Sequence, residues 1–163
     1  MEHAQSEQSL NRIAFSATWH CLTGCAIGEV LGVAIGTALG WRNVPTIVLA
    51  VVLAFFFGYS FTAVPLIRSG LALGAAAGIA LAADTISIAV MEIVDNAIIL
   101  VVPGAMEAGL ADLLFWGSLA FALAIAFVAA YPVNRWLIAR GRGHAIAHAR
   151  HGGHAHHAAA TQL

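Results

Sequence analysis

The sequence predicts an all-α protein, a four-helix transmembrane bundle with both termini in the cytoplasm. Three observations support this prediction. Hydrophobic residues make up 61% of the 163 residues and charged residues only 9%, a composition unlike that of soluble domains. Four apolar runs are long enough to cross a bilayer. The chain contains no lysine, and its arginines lie at the edges of the apolar runs, as they do in multi-span membrane proteins.

The chain begins with a polar arm followed by two apolar spans. Residues 1–12 are polar, and we expect them to be disordered or to lie at the membrane interface. The first span covers about 13–39 and ends at the turn that contains Gly40. The second span covers about 46–64. Pro45 suits its first turn, because the missing N–H has no helical partner there.

The third and fourth spans complete a transmembrane domain over residues 13–139. The third covers about 71–102 without a proline, so its length exceeds a hydrocarbon core of about 30 Å. It either tilts, projects from the membrane or breaks near its polar centre. The fourth span covers about 113–138, after Pro103 and Gly104. Residues 140–163 form a separate tail that is rich in histidine.

The distribution of arginine predicts the orientation. With four spans, Arg42 falls alone on one side and the other arginines fall on the opposite side. The positive-inside bias then places both termini in the cytoplasm. The first apolar run lacks a cleavage pattern, so we expect it to be retained. The net charge of −1 and the lack of a basic face predict a lipid bilayer as partner and no nucleic acid.

Glycine recurs at every fourth position from Gly24 to Gly40. On a helix this spacing forms one slanted ridge, which we call the glycine ridge. Such a ridge lets another helix approach closely in lipid, in the manner of a glycine zipper. Because four spans enclose little space, we expect the ridge to offer a contact between copies in a homo-oligomer.

Ionisable and sulfur-containing side chains concentrate in spans one and three, where they are costly and therefore favour a functional role. Asp84, Ser87, Met91 and Asp95 lie on one helical stripe, flanked by Glu92. The sulfur and imidazole groups suit copper or zinc, and the carboxylates suit harder cations or protons. The candidate metal-binding residues are His20, Cys21, Cys25, Glu29, Asp84, Met91, Glu92 and Asp95.

A count of residues from the predicted cytoplasmic edge places Glu29 and Asp84 at the same depth, roughly 20 Å into the membrane. We therefore expect these two carboxyl groups to form a coupled pair across a seam between spans one and three. Two carboxyl groups this close cannot both stay ionised unless a cation is bound between them. The alternative is that the buried polar groups only fix the packing of the helices.

The tail contains a second set of candidate metal ligands. Histidine-rich tracts bind divalent metals, although the same composition is also typical of a solvated, disordered tail. The tail histidines are His144, His148, His151, His154, His156 and His157.

Several motifs resemble those of one known family. They are His20-Cys21-Leu22-Thr23-Gly24-Cys25, Met91-Glu92-Ile93-Val94-Asp95-Asn96, Pro103-Gly104-Ala105-Met106 and Tyr131-Pro132-Val133-Asn134-Arg135. The chain is similar to a bacterial family of small integral membrane proteins that is catalogued as a domain of unknown function. The resemblance implies four spans in the bacterial inner (plasma) membrane and implies no reaction.

The sequence favours a membrane protein that binds or passes a copper or zinc ion through a polar column between spans one and three. One alternative is a non-catalytic scaffold or assembly factor; another is a proton-coupled or thiol-redox membrane subunit. We expect no nucleotide, because no phosphate-binding fingerprint is present. We expect no haem, because only His20 lies inside a span. Without a catalytic motif, an enzyme is the less favoured class.

Overall fold

The computed structural model describes residues 2–140, with side chains from residue 7 onward. Within that range it contains four α-helices and no strand: α1 (Glu2–Ala38), α2 (Asn43–Arg68), α3 (Leu73–Val101) and α4 (Leu113–Ala139). Each helix is long and apolar enough to cross a membrane. The predicted all-α, four-helix architecture is therefore confirmed. The tail histidines lie outside the described residues.

Helix α1 begins earlier than the sequence predicts, since residues 2–12 continue the first span as helix and do not form a separate arm. No glycine or proline occurs before Gly24 to interrupt this segment. It is also tied to α4: Arg135 Nη2 donates to the Glu7 carboxylate at 2.6 Å, and Arg135 Nε donates to Asn11 Oδ1 at 2.7 Å. At 37 residues, α1 extends well beyond a hydrocarbon core of about 30 Å.

The other helices also differ from the predicted spans. Helix α2 continues through Pro65 to Arg68, because proline within a membrane helix is tolerated where neighbouring groups compensate for the lost hydrogen bond. The chain then reverses at Gly70, whose φ of 96° favours glycine. Helix α3 is unbroken over 29 residues, so the expected alternative of a break near its polar centre is wrong.

The helices form a ring in which α1 and α3 each pack against both α2 and α4, and α1 meets α3 only across the interior. The seam expected between spans one and three thus corresponds to a small contact between α1 and α3 in the interior of the bundle. The interior holds mainly small or polar residues, such as Ala54, Ala126 and Asp95. Large apolar side chains, such as Phe56 and Ile93, are exposed. This distribution suits a bundle surrounded by lipid.

Candidate functional site

The glycine ridge packs against α2 of the same chain. A Cβ atom on Gly24 would lie 2.7 Å from the backbone nitrogen of Gly58, and one on Gly32 would lie 2.6 Å from the Cα atom of Ala50. Neither separation is tolerated, so the close approach of α1 and α2 requires glycine. From Gly24 to Gly36 the ridge is therefore covered by α2 of the same chain, whereas a Cβ atom on Gly40 would have no atom within 4 Å.

The contact with α2 turns the two cysteines toward the centre of the bundle. Cys21 and Cys25 are 3% and 1% exposed and belong to one cluster of buried side chains with Met91. All four helices contribute to this cluster. We call Cys21, Cys25 and Met91 the sulfur group. Both cysteines are free thiols.

The acidic stripe on α3 faces the same interior. Asp84, Ser87, Met91 and Asp95 are all buried, as their helical spacing predicts. Glu92 is buried as well, so it belongs to the inward face and does not merely flank the stripe. On the same helix Ile86 and Ile93 point outward, with exposed fractions of 41% and 70%, whereas Val90 is half-buried and packs against the interior cluster.

Several polar atoms in this interior have no hydrogen-bond partner among the described residues. Such atoms are uncommon in folded proteins, because each costs about 1–3 kcal/mol of desolvation that no contact recovers. They are Asp84 Oδ2, Ser87 Oγ, both carboxyl oxygens of Glu92 and both carboxyl oxygens of Asp95. These unsatisfied carboxyl groups lie on one face of α3, which makes that face the candidate functional site.

The expected pairing of Glu29 with Asp84 is wrong. Asp84 Oδ1 instead accepts a weak hydrogen bond from Cys21 Sγ at 3.8 Å, while Glu29 interacts with Asp95 and Glu92. The residue count failed because it placed Ile13 and Leu71 at the same depth.

Cys21 contacts Asp84. Counting the same number of residues back along both helices from this contact puts Leu71 level with Gln8 of α1. Cys25 likewise interacts with Glu92, and Glu29 interacts with Asp95 and Glu92. Each thiol has a carboxyl group beside it, and Glu29, which is only half-buried, lies near two.

His20 is set apart from the other candidate ligands, since its side chain is exposed at the surface of the bundle. Its Nδ1 atom lies 2.6 Å from the carbonyl oxygen of Ser16 in the same helix. The ring contributes weakly to the electrostatic surroundings of Asp84. His20 therefore lies beside the buried groups without joining the sulfur group.

Three further polar residues in the interior were not singled out from the sequence as candidate site residues. Asn134 Nδ2 donates to Thr18 Oγ1 at 2.8 Å and joins α4 to α1, with both residues buried. Thr62 of α2 interacts with the carboxyl group of Asp84. Each has other polar residues within two positions in the sequence, so the sequence gives no signal that singles it out or identifies its partner.

The geometry limits the ways in which a metal ion could be held. Among the side chains that the structure describes, from residue 7 to residue 140, no three of His, Cys, Asp or Glu are arranged to hold one metal ion. The eight candidates in the spans thus do not form a single centre. The sulfur group differs from such a set because its third donor is a thioether.

The fold and the polar interior define a four-span membrane protein with a sulfur- and carboxyl-containing core. The chain belongs to the family described as a domain of unknown function, DUF4396, which matches residues 11–143. No curated protein and no solved structure matched the chain.

Proposed function

We propose that this membrane protein binds a Cu(I) ion at the sulfur group and passes it along the interior of the bundle. The observation that carries the proposal is that Cys21, Cys25 and Met91 lie in one buried cluster formed by all four helices. Thiolate and thioether donors are the soft ligands that select Cu(I). Cysteines four residues apart on a helix project from the same face, so two sulfur atoms are available to one ion.

Copper suits this group better than zinc does. A structural Zn²⁺ site has four ligands from Cys, His, Asp or Glu in a tetrahedral arrangement. Among the described side chains of residues 7–140, no three such residues are arranged to hold one metal ion. The carboxyl groups of Asp84 and Glu92 adjoin the thiols but provide hard oxygen donors, which suit other cations.

Anaerobic titration with Cu(I) tests the proposal. Purified protein in detergent should bind about one equivalent, and Cys21→Ser combined with Cys25→Ser should abolish this binding. Met91→Leu removes only the thioether at nearly constant volume, so we expect weaker binding without loss of the fold. Met106→Leu is the matched control, because Met106 lies in the segment between α3 and α4, outside the helices.

Thermal unfolding of each variant separates loss of the site from loss of the fold. The proposal is supported if Met91→Leu weakens Cu(I) binding while its unfolding temperature and that of Met106→Leu stay close to that of the wild type. It is wrong if the wild type binds no Cu(I), or if the double cysteine variant binds it as the wild type does.

A second candidate function is a proton-coupled membrane subunit. It is favoured by Asp95, whose two carboxyl oxygens have no partner among the described residues, and by its interaction with Glu29 from α1. Proton uptake into vesicles that contain the purified protein tests this candidate. Asp95→Asn should reduce the uptake, whereas Asp112→Asn, in the segment before α4, should not.

The location and assembly of the chain belong to the same proposal. We place the protein in the bacterial inner membrane with both termini in the cytoplasm, because of the arginine distribution.

We also propose a homo-oligomer, since a bundle of four helices encloses little space. Because α2 covers the glycine ridge from Gly24 to Gly36, contacts between copies would use another face. Native mass spectrometry of the detergent-solubilised protein tests the oligomeric state, and a strictly monomeric species would contradict it.

A further inference from the structure

His20 precedes the buried Cys21 in the chain but is itself exposed. The carbonyl oxygen of Ser16, 2.6 Å from His20 Nδ1, can only accept a hydrogen bond. Nδ1 therefore carries the ring hydrogen of a neutral His20, and Nε2 keeps its lone pair. A backbone carbonyl that fixes the tautomer in this way is a common accompaniment of metal-binding histidines.

The carboxyl group of Asp84 connects His20 to the interior. Asp84 interacts with His20 on one side, and its Oδ1 atom accepts from Cys21 Sγ on the other. Its Oδ2 atom is buried without a hydrogen-bond partner among the described residues. His20 is thus exposed next to a buried pair of groups, Cys21 and Asp84, that contact each other.

We propose that His20 Nε2 is the first ligand to accept the Cu(I) ion and that it transfers the ion to Cys21. This inference rests on the proposed Cu(I) binding at the sulfur group. Transfer in steps fits the geometry, because these side chains are not arranged around one point among the residues that the structure describes.

In the transfer step the bond between Cu(I) and Nε2 breaks as the bond to Cys21 Sγ forms. The copper stays in the +1 state throughout. The thiol hydrogen of Cys21, already directed at Asp84 Oδ1, moves to that oxygen. The Asp84 carboxylate is therefore the proton acceptor in this step and acts on the ion only through Cys21.

The position of His20 along α1 is consistent with this role. His20 lies about 12 Å of helix rise from Arg12, at about 1.5 Å per residue. It follows Trp19, which is 57% exposed and of a type enriched at membrane interfaces. An ion that approaches from the end of the bundle carrying Arg12 therefore meets His20 before it reaches Cys25.

The rate of Cu(I) uptake tests the proposal. The probe is Cu(I) bound to bicinchoninate, and its loss of colour on mixing with the protein under anaerobic conditions reports the transfer. We expect His20→Gln to slow the transfer about tenfold or more, a change equivalent to about 1.4 kcal/mol in the barrier. The amount of Cu(I) bound at equilibrium should stay the same. If His20 only supported the fold, its replacement would not slow the transfer of Cu(I) while leaving the amount of Cu(I) bound at equilibrium unchanged.

Thr23→Val is the matched control, because it removes a hydroxyl group of the same helix that is bonded only to the Trp19 carbonyl. It should take up Cu(I) at the rate of the wild type. His20→Asn replaces His20→Gln if the latter fails to fold. An unchanged rate in the histidine variant overturns the proposal, and so does a loss of equilibrium binding, which would make His20 a permanent ligand. A wild-type protein that binds no Cu(I) at all overturns the proposed function as well.

Discussion

Asp95 is 1% exposed, and neither of its carboxyl oxygens has a hydrogen-bond partner among the described residues. A buried polar group in this position destabilises the fold unless a ligand or a water molecule satisfies it. Natural sequences accept such a cost at functional sites. The stability of variants at Asp95 therefore shows whether its carboxyl group supports the fold or is kept at a cost to the fold.

We predict that Asp95→Val raises the free energy of unfolding in detergent by about 1–3 kcal/mol, because it removes an unsatisfied buried carboxyl group. Chemical unfolding followed by circular dichroism measures the change. Asp112→Val is the control: Gly109 N donates to Asp112 Oδ2 at 2.8 Å, so its loss should lower the stability. A destabilised Asp95→Val protein would show that Asp95 has a structural partner.

The hydrogen bond from Asn134 to Thr18 gives a second prediction. Interhelical hydrogen bonds in membranes contribute about 0.6 kcal/mol on average and rarely more than about 1.7 kcal/mol. We expect Asn134→Leu and Thr18→Val each to destabilise the bundle, with a coupling energy of about 0.5–1.5 kcal/mol in a double-mutant cycle. Additive effects would show that the two side chains do not interact.

Single residues were predictable from the sequence where helical spacing alone decides their position. The buried stripe of Asp84, Ser87, Met91 and Asp95 follows from steps of three and four residues. The level of Glu29 relative to α3 was not predictable in the same way. It depends on the register between two helices that meet only across the bundle interior, and packing sets that register.

At the scale of the helices, the contact between α1 and α2 is the closest in the bundle. Small residues face each other along its length: Gly24 with Gly58, Gly28 with Ala54, and Gly32 with Ala50. Without a strong hydrophobic drive between helices in lipid, such contacts supply the association energy. The contact with α2 also fixes the rotation of α1 about its own axis, so that the two cysteines face the interior of the bundle.

We predict that Gly28→Leu destabilises the bundle by more than about 3 kcal/mol, because even a Cβ atom would lie 2.6 Å from the Cα atom of Ala54. Gly78→Leu is the matched control on α3, where no atom lies within 4 Å of the added Cβ. Thermal unfolding in detergent measures both. Equal tolerance of leucine at the two positions would contradict the observed packing of α1 against α2.

The sequence contains a pattern that indicates which helix packs against the glycine ridge. Ala50, Ala54 and Gly58 also recur at every fourth position, so α2 carries a complementary stripe of small residues. The ridge alone indicates close approach but not which helix approaches. The length of α1 was underestimated for another reason: the predicted span followed the apolar run, whereas the hydrogen-bonded helix begins in the polar residues that precede it.

For the whole molecule, an even number of spans places the two termini on one side of the membrane. We predict that reporter fusions after Gly70 and after Arg142 report the cytoplasm, and that fusions near Asn43 and Glu107 report the opposite side. The arginine distribution is the reason. Fusions after Gly70 and Arg142 that reported opposite sides would contradict the four-span fold, and a fully inverted pattern would contradict only the orientation.

The most direct test of the proposed copper site is X-ray absorption spectroscopy at the copper edge of protein loaded with one equivalent of Cu(I). Binding at Cys21, Cys25 and Met91 predicts an edge shape typical of Cu(I) and a nearest shell of sulfur atoms alone. Met91→Leu should reduce that shell by one sulfur atom, while Met106→Leu should leave it unchanged. A nearest shell made of nitrogen or oxygen atoms would contradict the assignment of the sulfur group as the binding site.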